Sequence, residues 1–215
     1  MIFDALAVPA VILLVVTSLS ILVLRDWRMR IMFLAIQYVG VFLLVAMSWP
    51  VEMAVAKLVA GWMSGAILGM AMLGIPTSDQ PLAASQPLEY GSPTTTPQPS
   101  SRRQITHVFY LFAALLVGLA AISIAPAVQS GIPGISLEQA LGSLILIFMG
   151  TLQLAFKSRP FGVVIGLLTA LAGFEIIYSV VESSVLVAGF LSIIDLGLAM
   201  IGSYLIVAPY MEGQG

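Results

Sequence analysis

The chain has 215 residues, 60% of them hydrophobic and only 8% charged, with a mean hydropathy of +1.10. A soluble domain carries about 25% charged residues, so most of this chain has no water-facing surface to cover, and its net charge of -2 offers no basic face to nucleic acid. The absence of cysteine and the single histidine, His107, exclude disulfides, thiolate catalysis, Cys-ligated clusters and a histidine cluster for metal or haem, so no cofactor is expected.

A helix needs about 20 apolar residues to cross a bilayer core. Seven such runs occur, at about 6–24, 31–48, 53–75, 106–128, 138–156, 161–181 and 184–208. They are continuous, whereas barrel strands alternate over segments of ~10 residues, so helices are predicted. The fold class is therefore an all-α integral membrane protein of about seven transmembrane helices. The opening MIFDALAVPA has an acid and no basic n-region, which predicts a retained helix instead of a cleaved signal.

After the third run comes a stretch with Pro76, Pro81, Pro87, Pro93, Pro97 and Pro99 and a polar tract from Ser92 to Ser101. It has too little apolar area to order itself and reads as a flexible linker over 76–105; a docking segment for a partner is the alternative. The chain thus divides into a three-helix membrane unit (1–75), the linker, and a fourth helix with a second three-helix unit (106–215). No GxGxxG, P-loop, GxSxG or HExxH pattern appears in any run or loop.

The loop charges predict topology. Arg25, Arg28 and Arg30 fall between runs one and two, Arg102 and Arg103 before run four, and Lys157 and Arg159 between runs five and six. The opposite loops hold Asp4, Glu52, Glu138 and Glu182 and no Lys or Arg. The positive-inside rule then puts the N-terminus outside and the linker and C-terminus in the cytoplasm; a cell (inner) membrane is the expected location. A shift of 132 residues lays runs one to three on runs five to seven, with Arg25 on Lys157, Phe42 on Phe174, Ala56 on Ala188 and Gly65 on Gly197. This reads as two parallel three-helix repeats, able to build paired pathways about an axis along the membrane normal, or as hairpins alike by composition alone.

Three ionisable residues sit inside predicted spans: Lys57, Glu175 and Asp195. Such residues cost roughly 2.5–3.5 kcal/mol on insertion scales and default to function. Asp195 lies deepest, roughly 16 Å into the last run, on a small-residue face with Ala188, Ser192, Ala199 and Gly202. Without a partner, a carboxylate there is poised to take and release a proton; a protonated Asp merely bonding between helices is the bland alternative. Lys57 shares a face with Gly61, Gly65 and Gly69, which turns it toward protein, although its long stem could snorkel to the surface. A Lys57–Glu175 pair is the structural alternative for Glu175. Glu175, Tyr178, Ser179 and Glu182 follow at i, i+3, i+4 and i+7, a polar stripe reaching the outer surface. The expected proton path comprises Asp195, Glu175, Lys57 and Glu182.

From Leu152 to Ile206 the chain carries a basic turn, KSRPFG, an apolar helix, a short turn, and AGFLSIIDLGLAMIGSYLIV. This resembles the K subunit of complex I and the C subunit of Mrp antiporters. Over most of its length, with Gln37 and Lys57 in the first half, the chain looks more like membrane component E of hydrogenase-4. The resemblance implies a non-catalytic membrane subunit of an energy-converting complex, itself an oxidoreductase, with the lipid bilayer and antiporter-like membrane subunits as partners. It also implies that Asp195 matches the family's acid in the last helix, on the proton path. The family's other acid would fall near 167–169, where none stands; Glu175 comes about two turns later. A stand-alone small transporter and a purely structural subunit are the other readings.

Overall fold

The computed structural model describes residues 2–75 and 100–211, with side chains over 5–75 and 108–211. Seven α-helices follow in order: α1 Ile2–Val23, α2 Trp27–Val45, α3 Val51–Leu73, α4 Ser100–Gly131, α5 Leu137–Phe156, α6 Pro160–Val181 and α7 Val185–Met211. All seven are long and apolar enough to cross a membrane, and no strand occurs among the described residues. The chain is an all-α, multi-pass membrane protein.

Local chemistry sets the boundaries. Asp26 caps α2, its carboxylate accepting from the Arg28 N–H at 3.0 Å. That starts α2 at Trp27, four residues ahead of the expected run, and puts Arg28 and Arg30 in its first turn instead of in the loop. Ser136 and Gln139 close a capping box at the start of α5, and Pro160 opens α6 at a position where its missing N–H costs nothing. Helix α4 begins at Ser100, inside the stretch read as linker; the rest of that stretch, 76–99, lies outside the described residues.

The α1–α2 and α5–α6 turns share one end of the bundle with their basic residues. Glu52, Glu138 and Glu182 mark the other end. Between the ends, α1, α2 and α3 form one row and α5, α6 and α7 a second: α1 packs on α5, α2 on α6 and α3 on α7. This pairing sets equivalent helices beside one another, which a two-fold axis along the membrane normal would not do. Helix axes stay about 8–10 Å apart, so six helices around an axis could bring only one equivalent pair together at its centre. The two units instead stand side by side in the same order. The peripheral α4 rests on α5 and, more lightly, α1. Its outer face exposes Phe109, Phe112, Leu115 and Leu119, as lipid contact requires.

The rows enclose two four-helix cells. The first, among α1, α2, α5 and α6, is sealed by close approach. A Cβ on Gly173 would stand 2.6 Å from the Ser143 carbonyl oxygen, and one on Gly150 2.5 Å from the Ala170 nitrogen, so α5 and α6 meet backbone to backbone. Gln139 ties α5 to the end of α2 by donating to the Leu44 carbonyl (2.9 Å) and the Ser48 hydroxyl (2.8 Å). The second cell, among α2, α3, α6 and α7, holds the charges.

Candidate functional site

Lys57 leaves α3 two turns after Pro50 and points into the second cell, where it is 2% exposed. Its ammonium donates to Glu175 Oε1 on α6 at 2.5 Å and to Asp195 Oδ2 on α7 at 2.7 Å. These are the two ion pairs found among the described residues. Both acids are buried, at 1% and 0%. Lys57 and Glu175 each lie six residues from the acidic end of their helices, about 9 Å in; Asp195 is ten residues into α7, roughly 15 Å.

The neighbouring residues explain why the cluster closes. Gly61, one turn after Lys57, has no side chain because the Tyr38 ring of α2 occupies that space. Beyond it, Gly65 and Gly69 face Ile31 of α2. The glycine stripe therefore packs α3 on α2 and leaves Lys57 aimed at α6 and α7. On α7, Ala188, Ala199 and Gly202 are buried with Asp195, and Val164 of α6 fills the space a Cβ on Gly202 would take. The small face brings Asp195 within reach of α3.

Asp195 thus has a partner; the expectation of a lone carboxylate does not hold, because Lys57 spans the cell to both acids. Only one oxygen of each acid is engaged. Glu175 Oε2 and Asp195 Oδ1 are enclosed and meet no donor among the described residues. A single ammonium facing two carboxylates balances one of them and leaves the other to exchange a proton or to find a further donor. Glu182 stands apart. It is exposed at the α6–α7 turn, where Oε1 accepts from the Ser184 N–H at 3.0 Å and its carbonyl accepts from the Trp49 indole at 2.7 Å. Between Glu175 and Glu182, Ser179 is buried and its hydroxyl donates to the Ile176 carbonyl, while Tyr178 is half-buried.

Uncharged residues that hydropathy passes over also belong to this interior. Tyr38 is buried with its ring against Gly61, one turn from Lys57, and its hydroxyl meets no partner among the described residues. Thr169 and Gln37 sit deeper toward the basic end, fully buried, their side-chain polar atoms unpaired among the described residues. A polar uncharged residue in the middle of an apolar run was the available signal. It carries little weight in a sequence, because a serine or threonine can bond its own helix instead, as Ser64 does to the Ala60 carbonyl.

Comparison with protein-family models, with curated proteins and with solved structures finds no match. Among the described residues no group of three or more His, Cys, Asp or Glu is placed to hold a metal ion. The site therefore stands on its own geometry: one ammonium and two carboxylates, enclosed among four membrane-spanning helices.

Proposed function

We propose that this chain is a membrane subunit of a complex I-like or hydrogenase-4-like assembly, and that Lys57, Glu175 and Asp195 form part of its proton path. The observation that carries the reading is the enclosed cluster itself. Burying three ionisable groups in a membrane bundle is costly, and apolar residues of similar volume would serve packing at least as well. Two acids sharing one lysine allow a proton to be held on either carboxylate while the ammonium swings toward the other. Tyr38 stands beside them as a hydroxyl able to donate or accept. Glu182, at the surface above Glu175, is the entry or exit. The resemblance of the last two helices to K-type subunits supports Asp195 as the acid of the path. It also supports antiporter-like partners, a parent complex that carries the redox chemistry, and a subunit without catalysis of its own. The loop charges support an N-terminus outside and a cytoplasmic C-terminus, and the resemblance to complex I-like subunits supports an inner membrane.

A structural subunit is the second reading, favoured by one observation: Lys57 fastens α3 of the first row to α6 and α7 of the second. Asp195→Asn distinguishes the two. It keeps size and hydrogen bonding but cannot release a proton. The proton-path reading expects an assembled complex with translocation lowered at least tenfold, measured as proton uptake in vesicles across the pH range. Normal pumping by the assembled Asn variant would leave Asp195 as a packing residue and sink the proposal. Glu175→Gln is run in parallel: lost pumping with intact assembly supports a two-acid path, and lost assembly supports the staple.

A further inference from the structure

At the basic end of the bundle, the ends of α1, α2, α3, α5 and α6 surround a cavity of about 430 Å³, lined by Arg25, Arg30, Lys157 and Arg159 among apolar walls that include Trp27 and Phe161. The volume lies within the ~300–1,000 Å³ range of small-molecule sites. The two basic turns that the sequence shift aligns, with Arg25 on Lys157, meet at this one place. No acidic residue lines it among the described residues. The nearest acid in sequence, Asp26, is exposed and engaged in capping α2.

Arg30 is the decisive residue. It is 6% exposed, three residues into α2, with its guanidinium 5.2 Å over the Phe161 ring. Its Nε and Nη2 are enclosed and meet no acceptor among the described residues. A guanidinium taken out of water without an anion is among the costliest arrangements a protein keeps. The other cations add to the excess. Burial, and then the like charges of Arg30 and Arg25, hold the Lys157 ammonium's pKa below its ordinary value. That ammonium lies 5.1 Å from the Tyr110 ring and its stem against Gly162, at the rim. The N-termini of α2 and α6 open on the same cavity, and α6 has no side-chain cap. Each contributes roughly half a positive charge there.

We propose that this cavity is a binding site for a phosphate group, supplied by an anionic phospholipid headgroup or by a soluble phosphate compound. Four cations with no acid beside them among the described residues suit a multiply charged oxyanion better than a single carboxylate, and arginines meet phosphate oxygens with several N–H groups at once. The apolar walls accommodate whatever carries the phosphate. The cavity sits where spans end, at the level of lipid headgroups, and basic pockets between membrane helices are suited to such groups.

The test uses the full chain in phosphatidylcholine nanodiscs. One arm adds phosphatidylglycerol and a second adds inorganic phosphate; native mass spectrometry counts bound molecules and a melting curve reads stabilisation. The expected result is one phosphate-bearing molecule held per chain, with affinity about tenfold weaker in Arg30→Gln, the loss of one charge-assisted contact. Response to the lipid alone assigns a headgroup; response to inorganic phosphate as well assigns a soluble compound; either upholds the site. Should Arg30→Gln fail to fold, the exposed pair Arg25→Gln with Arg159→Gln decides, with an expected several-fold loss. Equal binding by that pair and the unaltered chain, no binding in either arm, or capture of an acidic peptide in place of phosphate would each overturn the proposal.

Discussion

Lys57 is the residue on which the interior charge balance turns. Among the described residues it alone meets both acids, so its removal differs in kind from removal of either acid. Lys57→Met keeps the length and bulk of the stem but strands two carboxylates among four helices. Breaking a buried pair in this way costs about 3–5 kcal/mol, because the remaining charge is uncompensated. The expected outcome is a marked fall in the melting temperature of the detergent-solubilised protein. The triple variant Lys57→Met, Glu175→Gln, Asp195→Asn should recover most of that loss, since no charge is left stranded. A triple variant no more stable than Lys57→Met would show that packing at position 57, and not charge, holds the cell together. The opposite face of the same residue is its register with Gly61: the lysine aims into the cell because Tyr38 occupies the neighbouring site on α3.

At the scale of elements, α5 and α6 make the closest contact in the bundle, and glycines set it. Gly150 and Gly173 lie at successive points of that seam, each with the opposing backbone where a Cβ would stand. An added methyl there cannot be absorbed by turning a flexible side chain. Gly173→Ala is expected to push the helices apart at a cost of about 1–3 kcal/mol, the usual range for overpacking. Gly118→Ala on α4 is the control. Nothing lies within 4 Å of its Cβ position, so the variant should leave stability unchanged or slightly raised, alanine being the better helix former. Melting curves of the two proteins in one detergent make the comparison; a Gly173→Ala protein as stable as the Gly118→Ala control would show that the α5–α6 seam tolerates the added methyl. The element boundaries follow from similarly local causes, as at α2, where the Asp26 cap draws two arginines into the helix.

For the molecule as a whole, charge asymmetry between its two ends sets the expected orientation. Arg25, Arg28, Arg30, Lys157 and Arg159 gather at one end, and Glu52, Glu138 and Glu182 at the other. Basic residues resist transfer across the membrane more than acidic ones do, so the basic end is expected to stay in the cytoplasm. A reporter fused after Gly215 or inserted near Ser92 should read cytoplasmic, and one at Met1 should read outside. A cytoplasmic reading at Met1 would reverse the molecule and put Glu182 at the inner surface. The side-by-side rows give this orientation a consequence: equivalent helices run parallel, so both basic turns emerge at the same face and converge on one cavity.

Hydropathy was sufficient to find seven spans, because a bilayer demands some twenty apolar residues wherever a helix crosses it, and that demand is local along the chain. The three intramembrane charges were legible for the same reason: each stands out against its own run. The glycine stripe after Lys57 and the small face around Asp195 even indicated which sides of α3 and α7 would be covered. What the sequence could not determine was which helix covers them. The meeting of Lys57 with both Glu175 and Asp195, residues 118 and 138 positions away, depends on α3 packing on α7 beside α6. So does the arrangement of the two three-helix units, where a repeat seen in sequence is equally compatible with a rotation or with a side-by-side stack. Packing between spans is decided by small residues that admit a neighbour's backbone and by polar groups seeking partners across helices. Those are pairwise properties of two surfaces, and a single apolar run records only its own half.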